Sequence, residues 1–241
     1  HHRSGWFTCA CCPPNAARLF ASLGQYCYST TGGELSVTQY VGSDLETTVD
    51  GTAVELSQSS ALPWDGEVTV EIESDGAVAV NFRVPEWCES VTASVDGEAV
   101  SPEGRYVRIE REWDGETVEL TFEQSVELVA AHPAVESDAG RVAVRRGPLV
   151  YCAEAVDNDR PLHQYALADD ADVDARHEPG LLDGVTVLDA EATVPSLDGW
   201  DGQLYRPVEE TDSEETRLEL VPYYAWDNRE PGEMAVWLRR A

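Results

Sequence analysis

Between residues 13 and 27 apolar side chains recur at helical spacing, at Ala17, Phe20, Leu23 and Cys27. From Gly33 onward the period changes to alternation. The first stretch predicts a helix opening at Pro13 or Pro14, because proline's missing N–H has no partner in a first helical turn. Its four apolar positions should form one buried face, with Gly24 a tolerable interior defect. The helix should run out near Tyr28, where Ser29-Thr30-Thr31-Gly32-Gly33 supplies a turn.

Alternation then marks short strands at 34–41, 45–49, 53–58, 67–73, 77–84, 91–95, 106–110 and 117–122. Between several of them stand Asp50-Gly51, Asp65-Gly66, Asp75-Gly76, Asp96-Gly97 and Asp114-Gly115, a dipeptide that tolerates the positive φ of tight hairpins. His132-Pro133 marks a boundary, since a residue before proline is pushed out of helical conformations. Further strands follow at 141–145, 149–153, 184–194, 217–225 and 233–238. The pattern predicts a mainly β protein: a short helical segment over 1–31, then two antiparallel β-sandwich domains over 32–132 and 133–241. The acidic stretch Asp169-Asp170-Ala171-Asp172-Val173-Asp174 reads as a solvated loop, because it lacks the fixed glycine and distal glutamate of a calcium loop.

Charge narrows the partners. Acidic residues number 46 against 16 basic, giving a formal net charge of -30, and every basic residue is arginine. Such a field repels nucleic acid and anionic membrane surfaces. The acidic excess runs through strands and turns alike, so a disordered tail does not explain it. Self-repulsion of this size is tolerable where salt is dense, since at molar salt the Debye length is about 3 Å. A halophilic source is the expectation, with an ordinary acidic protein as the alternative.

The six cysteines do not form a disulfide framework: three fall in one cluster, and Cys27, Cys88 and Cys152 stand singly in apolar contexts. Free thiols and a cytoplasmic location are the expectation on that reading, with no transmembrane run in the sequence and no signal peptide expected. The chain starts without an initiator methionine, and its one methionine is Met234, which predicts the C-terminal part of a longer polypeptide or an incompletely read gene.

The cluster Cys9-Ala10-Cys11-Cys12-Pro13-Pro14 puts three thiols at the mouth of the predicted helix. A helix N-terminus favours thiolate in general, which improves a cysteine as nucleophile and as metal ligand. Three small core residues ahead of a helix is the plainer alternative, and spacing alone does not choose between metal and nucleophile.

Residues 6–18, Trp6-Phe7-Thr8-Cys9-Ala10-Cys11-Cys12-Pro13-Pro14-Asn15-Ala16-Ala17-Arg18, closely resemble the cysteine-pair motif of glycoside hydrolase family 127, the β-L-arabinofuranosidase family. The resemblance continues at Arg83-Val84-Pro85-Glu86-Trp87-Cys88, at residues 146–154 through Tyr151-Cys152-Ala153-Glu154, and at residues 220–229 through Ala225-Trp226-Asp227-Asn228-Arg229. It implies that residues 1–31 end a helical (α/α)6 barrel. It implies retaining hydrolysis in which Cys11 is the nucleophile and a zinc ligand, Cys12 a second zinc ligand, and Cys9 a neighbour that binds no metal. A glutamate acid/base, further zinc ligands and the sugar-gripping residues would belong to a barrel upstream of the motif. On that reading the chain alone binds zinc poorly and hydrolyses nothing, and His1 and His2 belong to an approach loop. The resemblance also implies a glycan substrate and pairing of two copies through a β-sandwich face.

The remaining histidines, His132, His163 and His177, read as surface or loop residues. Trp87, Trp113, Trp200, Trp226 and Trp237 read as core or interface anchors rather than a sugar platform. Two rivals stand beside the glycosidase reading. One is a non-catalytic carbohydrate-binding or assembly module with vestigial cysteines; the other is a structural zinc protein.

Overall fold

The computed structural model describes residues 3–6 and 8–241, so the expectation for His1 and His2, and Phe7 of the cysteine motif, lie outside the described residues. Two compact units divide the chain: Gly5–Ser125, and Val126–Ala241 together with Arg3 and Ser4.

In the first unit helix α1, Cys12–Ser22, begins just ahead of the two prolines and continues as a 3-10 turn over Leu23–Tyr26. Among the described residues of this chain nothing covers its predicted buried face. No residue of α1 is buried, Phe20 is 73% exposed, and of the four spaced apolar positions only Cys27, beyond the helix, reaches the interior. Periodicity made the helix two-faced, but the unit's core contains no α1 side chain.

Eight strands follow: β1 (Tyr28–Thr31), β2 (Glu34–Val37), β3 (Ser43–Val49), β4 (Thr52–Ser60), β5 (Glu67–Arg83), β6 (Val91–Val95), β7 (Glu98–Val100) and β8 (Tyr106–Phe122). Among the described residues they make one sheet in the order β1-β2-β5-β8-β6-β7, with β4 also on β5 and β3 on β4. The pairing of β2 with β5 is parallel, because the chain travels through β3 and β4 before returning beside β2.

Each of the two long strands replaces a pair of predicted short ones. β5 and β8 run antiparallel from Glu67 opposite Thr121 to Arg83 opposite Tyr106, with a register shift over Glu73–Ala77. Asp75-Gly76 and Asp114-Gly115 are therefore not hairpin turns. They lie at this irregularity, where Glu73 pairs with Asp114 and the strands can bend without parting. Trp113 plugs the corner, 1% exposed, and its Nε1–H donates to the carbonyl of Val78 at 3.0 Å. Val68, Val70 and Ile72 before the shift share one core with Val78, Val80 and Phe82 after it. Asp50-Gly51 and Asp96-Gly97 do turn hairpins, with φ of 50° and 91° and of 49° and 84°.

The second unit carries β9 (Val126–Ala130), β10 (Arg141–Arg146), β11 (Leu149–Glu154), β12 (Ala166–Leu167), β13 (Val173–Glu178), β14 (Val185–Pro195), β15 (Ser213–Pro222), β16 (Met234–Ala235) and β17 (Leu238–Arg240). β9 lies ahead of His132 yet pairs with β10 in this unit's sheet. The path β11-β15-β14-β12-β17-β10 closes on itself, because β10 also pairs with β11 across the Gly147-Pro148 turn. Closure removes those edges from solvent, with Tyr151, Leu188, Leu218 and Leu220 fully buried inside. The pairing of β12 with β17 is parallel. The segment predicted to run to Ala225 as strand instead leaves β15 at Pro222 and turns as a 3-10 element over Tyr223–Ala225. Part of the acidic stretch is also strand: Val173 and Asp174 open β13 against β14.

Candidate functional site

Cys11 is the N-cap of α1, with no capping hydrogen bond from its side chain, and Cys12 is the first helical residue, so both thiols stand at the N-terminus of the helix. Pro13 follows in that turn and gives up no donor that the helix needs. Asn15 secures the turn: its backbone N–H and its Nδ2 donate to the Cys11 carbonyl at 3.3 and 2.8 Å. Arg18 in turn donates from Nη1 to Asn15 Oδ1 at 2.9 Å, so it supports the turn one step removed from the thiols.

Cys9, Cys11 and Cys12 are all exposed, and Cys11 Sγ lies 3.5 Å from Cys12 Sγ. Two corners of a zinc tetrahedron with Zn–S near 2.3 Å stand about 3.8 Å apart, so the pair fits half of such a site. Among the described residues no group of three or more His, Cys, Asp or Glu is gathered as a metal site, so the other donors are not supplied here.

The remaining cysteines differ in kind. Cys27, Cys88 and Cys152 are buried, and burial raises the pKa of each, Cys152 to about 12. They pack as small apolar groups.

Among the described residues no histidine is gathered with the thiols in a group of three or more His, Cys, Asp or Glu. His132 accepts from the Ala134 N–H within its own loop, and His177 sits on β13. Trp87 packs edge-on to Phe122, while Trp200 lies beneath the Arg206 guanidinium at 4.5 Å. Sequence reasoning passed over a buried ionic cluster in the second unit, formed by Glu154, Asp157, Asp227 and Arg229. Its one sequence signal was the placing of three of its members at the ends of the two later stretches of resemblance. Among the described residues no helix is long and apolar enough to cross a membrane.

Comparison with known proteins agrees with this architecture unit by unit. The sequence model described as "Beta-L-arabinofuranosidase, GH127 middle domain" matches residues 34–124. That of the "Glycoside hydrolase family 127 C-terminal domain" matches residues 126–239. The chain belongs to glycoside hydrolase family 127.

Within family 127 it is 42% identical to a non-reducing end beta-L-arabinofuranosidase of Bifidobacterium longum subsp. longum, over 99% of this chain and 38% of that protein. Its fold is similar to the crystal structure of a GH127 beta-L-arabinofuranosidase from Geobacillus stearothermophilus T6. The TM-score is 0.90 at 41% identity, over 100% of this chain and 39% of that one. A structure described as a GH127 beta-arabinofuranosidase matches with a TM-score of 0.85 at 31% identity, over 100% of this chain and 40% of that one. The chain thus spans about two fifths of the length of these family members.

Proposed function

We propose that this chain is the C-terminal part of a retaining glycoside hydrolase that acts on β-L-arabinofuranosides or related glycans with Cys11 as nucleophile. The observation that carries the reading is the exposed Cys11–Cys12 pair, 3.5 Å between sulfurs, at the N-terminus of α1 in a family 127 chain.

The Cys11 thiolate attacks the anomeric carbon, the glycosidic C–O bond breaks, and the leaving oxygen takes a proton from an acid group. Water then attacks the same carbon while giving its proton to the conjugate base of that acid group, the C–S bond breaks, and Cys11 regains its electron pair. Two inversions make net retention. Zinc held by Cys11, Cys12 and donors beyond this chain would keep the nucleophile deprotonated. Cys12 keeps its sulfur beside that of Cys11, and Asn15 holds the turn that presents both. These residues include neither the acid/base glutamate nor a complete ligand set, so the chain by itself binds zinc weakly and does not turn over. Pairing of two copies through a β-sandwich face is part of the same reading, as is a cytoplasm rich in salt, for which the charge of -30 is the support.

The test is Cys11→Ser in the polypeptide as its own cells make it. Loss of turnover on an aryl β-L-arabinofuranoside, together with loss of covalent labelling by a glycosyl trap, supports the assignment. Unchanged glycan binding with no turnover in either form favours a binding module.

A further inference from the structure

Two stretches that carry the family resemblance, 146–154 and 220–229, take no part in the cysteine chemistry, yet in the second unit both end on one ionic cluster. Arg229 donates from Nη2 to Glu154 Oε2 at 2.6 Å and to Asp157 Oδ2 at 2.5 Å, and from Nη1 to Asp157 Oδ1 at 2.5 Å. The other oxygen of Glu154 accepts the backbone N–H of Asp227 at 2.9 Å. Asp227 is itself buried, with a left-handed φ of 57°. That conformation suits Asp or Asn better than most side chains and turns the backbone sharply between Trp226 and Asn228.

The cluster sets three carboxylates against one guanidinium, and a second cationic residue meets it from the other end of the sequence. The backbone N–H of Arg3 donates to Asp227 Oδ2. The Arg3 guanidinium donates from Nη2 to the Tyr224 carbonyl at 3.1 Å and lies 5.1 Å over the Trp226 ring. Backbone and side chain of Arg3 are therefore both held by residues 224–227, in a segment that stands six residues before Cys9.

We propose that Asp227 is a positioning residue: set in place by Glu154 and Arg229, it anchors the backbone of Arg3 and so fixes the segment from which the chain runs into Cys9, Cys11 and Cys12. The anchor takes its purpose from the cysteine reading above. Attack at an anomeric carbon tolerates little error, and a displacement of about 1 Å costs on the order of a hundred-fold in rate. An anchor only a few residues upstream removes backbone freedom that the exposed thiols otherwise have.

The test is hydrogen exchange of the 241-residue chain read by mass spectrometry. Asp227→Gly keeps the left-handed backbone and removes the acceptor, whereas Asp227→Asn keeps both. Amides of residues 3–6 are expected to exchange about ten-fold faster in Asp227→Gly and within about two-fold of wild type in Asp227→Asn. β15 should keep its protection in both. Arg3→Pro removes the donor without touching the cluster and should match Asp227→Gly, while Arg3→Ala, which retains the N–H, should exchange more slowly than Arg3→Pro. Unchanged exchange at residues 3–6 in Asp227→Gly and Arg3→Pro overturns the anchor, as does equal loss in Asp227→Asn.

In the form purified from its own cells, Asp227→Gly should lower kcat with KM held within about two-fold, and Asp227→Asn should restore it. A raised KM at constant kcat overturns the positioning role. Cys11→Ser measured alongside removes the proposed nucleophile and leaves exchange at residues 3–6 unchanged. Failure of the cysteine reading and failure of the anchor therefore appear in different experiments.

Discussion

Arg229 and Glu154, 75 residues apart in sequence, meet through Nη2 and Oε2 at 2.6 Å with their side chains 17% and 6% exposed. Asp157 closes the group on the guanidinium's other edge. Removing the cation leaves two largely buried carboxylates facing each other with no counter-charge. Arg229→Ala should cost about 3–5 kcal/mol of unfolding free energy in denaturant titration. A loss under about 1 kcal/mol would show that water reaches the cluster freely.

Gly66 is required by contact rather than by backbone angle. A Cβ built there meets the Phe122 carbonyl oxygen at 2.0 Å, and the Phe122 N–H donates to the Gly66 carbonyl at 2.9 Å. Gly66→Ala should destabilise the first unit by about 3 kcal/mol or more, since a main-chain atom must move. Gly97→Ala, where the added atom meets nothing within 4 Å, should cost about 1–2 kcal/mol through its positive φ alone. Equal thermal shifts for the two would refute the contact.

Thiol chemistry should divide the six cysteines evenly. Cys9, Cys11 and Cys12 are exposed and should be alkylated promptly in the native chain. Cys27, Cys88 and Cys152 should react only on unfolding. Mass spectrometry counts the adducts, and rapid labelling of Cys152 would contradict a site whose burial pushes the thiol to about 12.

Two glutamates should move stability with pH in opposite directions. Hydrogen bonds from Arg108, then from Asn81, hold Glu34 below its usual range. Its contribution is present above the unfolded value near 4.5 and is lost as pH falls through the lower folded value. Glu219 is raised, by burial first and then by the charge of Asp157. Its ionised form therefore weakens the fold above the raised value, and protonation relieves this as pH falls. Glu34→Gln should lower the unfolding midpoint at neutral pH and Glu219→Gln should raise it. Both differences should shrink toward about pH 3.

The charge of -30 makes salt a stability variable. The thermal midpoint should climb steeply between about 0.1 and 2 M KCl, as the screening length falls from about 10 Å toward 3 Å or less. A midpoint that is flat or falls with salt would argue against a salt-adapted surface.

Much of the chain was legible because the relevant physics is local. Proline after Cys12 signals a helix start whatever lies nearby, so the sulfurs of Cys11 and Cys12 could be placed at an N-terminus from sequence alone. Asp50-Gly51 and Asp96-Gly97 turn hairpins because their flanking strands pair directly across two residues. The same dipeptide at Asp75-Gly76 and Asp114-Gly115 serves a bend, since there the partner is a strand some forty residues away, and no local pattern reports that.

The alternation that makes strands, the acidic surface and the placing of two adjacent thiols at a helix mouth are all properties of neighbouring residues. Long-range packing was needed to leave the apolar face of α1 outside the first unit's core and to close a ring through β10 and β11. It alone gathered Glu154, Asp157, Asp227 and Arg229 around the backbone of Arg3. Burial and ion pairing depend on which distant segments meet, and that follows from the balance of the whole packed chain rather than from any window along it.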